Sequence, residues 1–320
     1  MARPFALLAV AVVAAAVLVS GAAGDRGRPV TTNVTSVDAA LGTITAGLAW
    51  KAGSCEGATL WSPGERTAWT FRVPGPCPAT STGRGVSAVS STGRRVAFLS
   101  YVGGNTVDWR LWTASRTSHV PKLIASASAD AGAASPILLG NGDDGGIPYA
   151  VGRTVVVLGW NGARLLTWQA PADLAGLNFT TNRLAVLFTN GDVEVLAGSA
   201  PPLVLSGVGA RSAQAILGGV VYQTPQRIVL RKGNVVRFLV TDPTVKFVSY
   251  IEGKLLYLRG SELHLYAWQT RKDVVLRRLP NPSLVDADVH GLVWASGSLL
   301  CAASLWSAPH PFPRFTGCTL

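Results

Sequence analysis

The stretch VKFVSYIEGKLLYLRGSELHLYAWQTRKDVVLRRL, Val245 to Leu279, decides the fold. It holds four apolar runs of strand length: VKFVSY (Val245 to Tyr250), KLLYLR (Lys254 to Arg259), ELHLYAWQ (Glu262 to Gln269) and DVVLRRL (Asp273 to Leu279). The breaks between them, Ile251-Glu252-Gly253, Gly260-Ser261 and Thr270-Arg271-Lys272, are hairpin-sized. β-Branched and aromatic residues fill the runs, which predicts a four-stranded antiparallel meander. KLLYLR is apolar on both faces, so such a sheet needs cover on both sides, and copies of itself stacked face to face supply it.

The chain contains those copies. PVTTNVTSVD (Pro29 to Asp38), TITAGLAW (Thr43 to Trp50), ATLWS (Ala58 to Ser62) and RTAWTFRV (Arg66 to Val73) form a first unit, with Pro63-Gly64 as its last turn. GVSAVSS, RRVAFLSY, DWRLWTAS and VPKLIAS, between Gly85 and Ser126, form a second around Gly103-Gly104-Asn105. Ala127 to Ala134 is a low-complexity stretch, read as a flexible crossing. Three further units lead to the opening stretch, the sixth, and a seventh ends in RFTGCTL, Arg314 to Leu320. Anchored on their third strands, at Leu60, Leu111, Val156, Glu194, Val229, His264 and Leu300, the units are spaced by 51, 45, 38, 35, 35 and 36 residues. A sustained period near 36 with four strands per period predicts one all-β domain over residues 30–320: a seven-bladed β-propeller of four-stranded antiparallel blades. With 48% hydrophobic and only 14% charged residues, the chain has ample material for such a core.

The N-terminus reads differently. Arg3, the apolar run Phe5 to Val19 and the small residues Ser20 to Ala23 have the form of a signal peptide over residues 1–23, too short an apolar run to span a bilayer readily. Export to a secreted or extracytoplasmic location follows, with an uncleaved anchor as the alternative. Four cysteines suit an oxidising compartment. Of the three connectivities, Cys55 with Cys77 and Cys301 with Cys318 close the shortest loops and staple the two ends of the array. That placement suits a closing ring better than an open solenoid.

Ser90-Ser91-Thr92-Gly93-Arg94-Arg95-Val96-Ala97-Phe98-Leu99-Ser100, followed by Trp109-Arg110-Leu111-Trp112, resembles the repeats of TolB-type and WD40-like propellers. Those families tend to place an Asp-Gly turn before the second strand, where Thr92-Gly93 stands here. The other six units share the strand pattern without the motif, and none carries the Trp-Asp pair of WD40 repeats. The resemblance implies the fold class over most of the chain and no particular activity.

Catalytic signals are sparse. The chain has 17 acids and 4 histidines, and no motif places two carboxylates together as glycoside hydrolysis requires. Gly53-Ser54-Cys55-Glu56-Gly57 has the outline of a nucleophile elbow, but no helical pattern follows, so it reads as a disulfided loop. Asp143 and Asp144 in the loop Asn141 to Gly146 are too few for a calcium site. His119, His264, His290 and His310 read as structural, and Trp109, Trp112, Trp160, Trp168 and Trp268 as core between blades. No cofactor or metal is expected. The rival reading is an extracellular polymer-processing hydrolase or lyase, which would gather acids and His at one mouth of the central channel.

Charge is the informative property. The formal net charge is +11, and between Arg227 and Arg278 eleven basic residues face four acidic ones. Arg231, Lys232, Arg271, Lys272, Arg277 and Arg278 are the candidate contacts for an anionic surface. The expected partner is a protein or an anionic polymer at the cell envelope. Membrane contact would come only through an uncleaved anchor or surface charge, and nucleic acid is not expected. A monomer acting as a non-catalytic scaffold follows, with specific ligands met by the long loops of blades one to three, Lys51 to Gly57, Val102 to Val107 and Asn141 to Gly146.

Overall fold

A computed structural model describes residues 34–40, 42–48, 50, 55–62, 68–78, 83–180, 182–279, 284–289, 291–296 and 299–303. The signal peptide, the last strand of the seventh unit, Gly53, Ser54, His290, His310 and Cys318 lie outside them.

The described chain is strands and turns, with no helix. Blade 1 comprises β1 (Val34–Ala40), β2 (Thr43–Leu48), β3 (Glu56–Trp61) and β4 (Trp69–Arg72). Blade 2 comprises β5 (Arg84–Ser91), β6 (Arg95–Val102), β7 (Thr106–Ser115) and β8 (Lys122–Asp130), and blade 3 comprises β9 (Ile137–Leu139), β10 (Gly146–Val151), β11 (Thr154–Gly159) and β12 (Arg164–Gln169). In blade 4 the strands are β13 (Leu174–Thr180), β14 (Arg183–Phe188), β15 (Val193–Ala197) and β16 (Ala200–Leu205). Blade 5 follows with β17 (Ser212–Ile216), β18 (Gly219–Gln223), β19 (Arg227–Lys232) and β20 (Val235–Thr241). Blade 6 has β21 (Val245–Ile251), β22 (Lys254–Arg259), β23 (Glu262–Ala267) and β24 (Lys272–Arg278). Blade 7 shows β25 (Leu284–Ala287), β26 (Leu292–Ser296) and β27 (Leu299–Ala303) among the described residues. Within each blade every strand pairing is antiparallel between sequence neighbours, so each blade is a meander, as the opening stretch predicts.

The double-faced strands explain why the blades form a ring. Leu255 and Tyr257 of β22 pack with Ile216 and Leu230 of blade 5, while Leu256 and Leu258 of the same strand pack with Trp294 and Leu292 of blade 7. Seven such apolar clusters fill the junctions between successive blades, and the one joining Ile44 and Trp61 of blade 1 to Val293 and Leu300 of blade 7 closes the circle. The protein is a seven-bladed β-propeller, with its core distributed around the ring.

The Cys55–Cys77 bridge is present and ties the start of β3 to the segment leaving β4, across a Cα separation of 5.5 Å. The expected Cys301–Cys318 bridge involves a residue outside the described set; Cys301 itself is fully buried in β27. Replacing Cys55 and Cys77 together by Ser is expected to lower stability by about 3 kcal/mol through the freed loop, read as a lower denaturation midpoint. An unchanged midpoint would show that blade 1 needs no staple.

Two sequence readings are corrected here. Ala127 to Ala134 is only partly a crossing, because β8 runs on to Asp130, pairing Ala127 with Trp109 and Asp130 with Thr106. The long partner strand β7 carries the small Ala and Ser residues, and Ala125 and Ala127 tuck against the blade 2–blade 3 cluster. Trp160 is not core: it stands 50% exposed in the turn between β11 and β12.

Candidate functional site

In a ring of meanders every turn has a fixed side. The turns joining first to second and third to fourth strands open on one face, hereafter upper, and the remaining connections on the lower face. The expected loops therefore do not all share one face, and Lys51 to Ser54 lie outside the described residues. Asn141 to Gly146 joins β9 to β10 on the upper face, whereas Gly103 to Asn105 joins β6 to β7 on the lower, and Glu56 and Gly57 are already in β3.

The first strand of each blade lines the central channel and exposes an unpaired edge whose N–H groups need acceptors. A polar residue recurs at one place in these strands: Asp38, Ser90, Asn178, Gln214, Ser249 and Asp286, each paired near the start of the second strand. Several of them reach the next blade. Asp38 Oδ2 accepts from the Ser91 N–H at 2.7 Å and from the Ser91 hydroxyl at 3.1 Å. Asp286 Oδ2 accepts from the Ala39 N–H at 2.8 Å, and Gln214 Oε1 from the Tyr250 N–H at 2.7 Å. At the blade 3–blade 4 junction the Asn141 carbonyl does the same for the Phe179 N–H at 2.9 Å. The target in all four cases is the residue just after the recurrent polar one. These are inter-blade latches.

Two latches are carboxylates, and burial makes them unusual. Burial, then the charges of Asp286 and Asp288, raise the Asp38 carboxyl well above its ordinary range against the opposing bonds from Ser91. Asp38 Oδ1 has no hydrogen-bond partner among the described residues. Asp286 is pushed up to about 7, chiefly by burial, against bonds from the Ala39 and Ala287 N–H groups.

Inside the ring lies a cavity of about 870 Å³, lined by the first strands of blades 4 to 7, by Ala39 and Ala40, and by Asn141 to Asp144. Asp143, Asp144, Glu252, Asp286 and Asp288 face it with Arg211 and Lys232, so its lining is acidic inside a basic protein. Asp143 Oδ1 is used locally, accepting from the Gly145 N–H at 2.8 Å. No group of three or more His, Cys, Asp or Glu that could hold a metal occurs among the described residues.

His264 lies away from the cavity, on the face of blade 6 packed toward blade 5. It is 5% exposed and stacked on Tyr257 at 4.8 Å. Its Nδ1 lies 3.2 Å from Asp273 Oδ1, and the Tyr257 hydroxyl donates to Asp273 Oδ2 at 2.6 Å. That network clamps β22, β23 and β24 together. His119 stacks on Trp69 at 4.5 Å, joining blades 1 and 2 on the upper face.

The six basic candidates divide between the faces. Arg231 and Lys232 end β19, and Arg271 and Lys272 open β24, so these four share the upper face. Arg277 and Arg278 end β24, roughly 20 Å further down at about 3.3 Å per residue. Arg278 is paired with Glu262 there at 2.8 Å. Three more pairs sit on the lower face, Arg72 with Glu56, Arg153 with Asp173 and Arg259 with Asp242. By contrast, Lys122, Arg164, Lys232, Arg271 and Lys272 are exposed on the upper face and make no ion pair with a described residue. Sequence reading weighed charge by blade; counting turns by parity would have separated the faces.

The fold and its latched channel define a seven-bladed β-propeller. No protein-family model matches the sequence, and no curated protein matches it. Among solved structures it is similar to PorZ, a bacterial surface component of the type-IX secretion system of Porphyromonas gingivalis, with 11% identity and a TM-score of 0.54 over 92% of this chain. The chain spans 39% of that structure's length. It is also similar to a chain of the mitotic checkpoint complex, with 10% identity and a TM-score of 0.58 over 89% of this chain and 96% of that one. At such identities the likeness concerns the fold.

Proposed function

We propose that the protein is an extracytoplasmic, non-catalytic binding scaffold, a monomer that presents its upper face to an anionic polymer or an acidic envelope protein. The observation that carries this reading is a group of exposed upper-face bases that make no ion pair with a described residue. The lower-face arginines named above are neutralised by carboxylates, whereas the upper-face Lys122, Arg164, Lys232, Arg271 and Lys272 stand exposed. Unneutralised exposed charge attracts a partner of opposite sign over about 8–10 Å at physiological salt. The Cys55–Cys77 bridge suits an oxidising compartment, and a surface setting is what is named for PorZ.

Binding to a soluble polyanion such as dextran sulfate is expected to weaken steeply from low to physiological salt. Joint Lys232→Gln and Lys272→Gln substitution should weaken it further, whereas Arg278→Gln, which removes a base already paired with Glu262, should not. Titration calorimetry in a salt series reads both. Salt-insensitive binding, or equal loss from Arg278→Gln, would sink the electrostatic account.

A second reading, a hydrolase or lyase on extracellular polymer, is favoured by Asp286 and Asp288 facing the cavity with the Asp286 carboxyl held near neutrality. Against it, Gln214 occupies the equivalent place in blade 5 and makes the same bond to the next blade. An amide cannot donate or remove a proton in acid–base catalysis, so the position serves closure of the ring.

A further inference from the structure

We propose that the outer band of the upper face docks on an anionic lipid bilayer. This goes beyond the polymer or protein partner of the scaffold reading while resting on the same exposed upper-face bases, and a second, independent observation supports it. Of thirteen large hydrophobic side chains exposed among the described residues, nine lie in upper-face turns or in the first two residues of strands leaving them; only Val204 sits at a lower end.

Most of the nine occupy one kind of hairpin, that between third and fourth strands. In blade 2 it carries Val120 (67% exposed) and Leu123 around Lys122, and in blade 3 Trp160 (50%) and Leu165 (54%) around Arg164. In blade 5 it carries Val235 and Val236 near Lys232, which stands between this hairpin and the cavity. In blade 6 the hairpin supplies Arg271 and Lys272, with Val274 and Val275 just below. Trp160 is also held in place: the Arg94 guanidinium lies 5.2 Å from its ring centre, and Arg95 Nε donates to its carbonyl at 3.0 Å.

Hairpins from a ring open onto one plane, so a flat partner meets several at once, whereas a linear polymer crosses only a few. A soluble polyanion also gives no reason for exposed Trp, Leu and Val between the bases. An interface of headgroups over acyl chains accounts for both, because aromatic and aliphatic tips enter the boundary while Lys and Arg meet anionic headgroups. Asp144 and Glu252 stand at the cavity mouth, in the inner turns, and confine this contact to the outer band.

Co-sedimentation of the whole protein with phosphatidylcholine vesicles, with and without admixed phosphatidylglycerol, tests the proposal, run beside dextran sulfate binding in the same buffer. The unsubstituted protein is expected to sediment only with the anionic vesicles. Joint Lys232→Gln and Lys272→Gln substitution should reduce vesicle affinity roughly 30-fold. Joint Val120→Ser, Trp160→Ser and Leu165→Ser substitution, at exposed positions, should reduce it by about tenfold or more while leaving dextran sulfate binding as it was. Vesicle binding untouched by the apolar triple variant would overturn docking by insertion and leave the polyanion scaffold standing. Dextran sulfate binding without vesicle binding would do the same. Binding to neither would overturn both readings.

Discussion

Asp286→Asn is expected to raise the midpoint of thermal unfolding far more at pH 8 than at pH 5. Asp286 is a carboxylic acid whose folded form titrates at about 7, well above the ordinary 3.8 of the unfolded chain. Between those values the folded protein holds a proton that the unfolded chain has released. Stability contributed by this group is therefore full below about pH 4, falls as pH rises, and is spent above about pH 7. At about 1.4 kcal/mol per pKa unit the loss is on the order of 4 kcal/mol. Asparagine carries no charge at any pH, yet its carbonyl oxygen still accepts from the Ala39 N–H across the blade 7–blade 1 junction. It also removes the charge that lies beside Asp38, whose own carboxyl is raised in the same direction. Asp286→Ala makes the contrast: it orphans the Ala39 N–H and should cost roughly 1–3 kcal/mol at both pH values. An Asp286→Asn shift equal at pH 5 and pH 8, or a fall at pH 8, would mean that the carboxyl is ionised in the folded ring at no cost.

The blades were legible because their signal is local. Lys254 to Arg259 is a strand with the bounds read from sequence, since Gly253 and Gly260, both at positive φ, close it at each end. All seven third-strand anchors fall on third strands. The latches were not legible, because Asp38, Ser90, Asn178, Gln214, Ser249 and Asp286 share polarity and place but not residue type. The partners of Asp38, Gln214 and Asp286, N–H groups of the next blade, lie 53, 36 and 247 residues away in sequence. Signal remained in the near-repeat of Gln214-Ala215, Asp38-Ala39 and Asp286-Ala287 ahead of an upper-face turn. The low complexity of Ala127 to Asp130 hid a strand, since small residues weaken the apolar alternation that marks one even when a long partner such as β7 enforces pairing. Trp160 was misplaced for the opposite reason: a tryptophan at a strand end reads as core unless its side of the ring is known.

Gly140→Ala is expected to destabilise the protein by roughly 3–5 kcal/mol, far more than the same change at Gly152. A Cβ at position 140 would meet the Leu177 carbonyl oxygen and side chain, with the carbonyl carbon at 2.7 Å. The obstacle is the backbone of β13, which cannot turn aside as a flexible side chain could. Blade 3 must therefore move from blade 4, and the two bonds holding that junction at Asn141 go with it. These are the Asn141 N–H to the Leu177 carbonyl at 3.1 Å and the Phe179 N–H to the Asn141 carbonyl at 2.9 Å. Asn141 to Asp144 also line the cavity, so the strain reaches its wall. Gly152 has φ of +56° in the turn between β10 and β11, where nothing lies within 4 Å of an added Cβ. Alanine there bears only the left-handed backbone, at about 1–2 kcal/mol. Urea unfolding of the two variants compares a steric obstacle at an inter-blade junction with a purely conformational one. Equal losses would mean that blade 4 can withdraw from blade 3 freely, and that the Asn141 latch does not set the register of the ring.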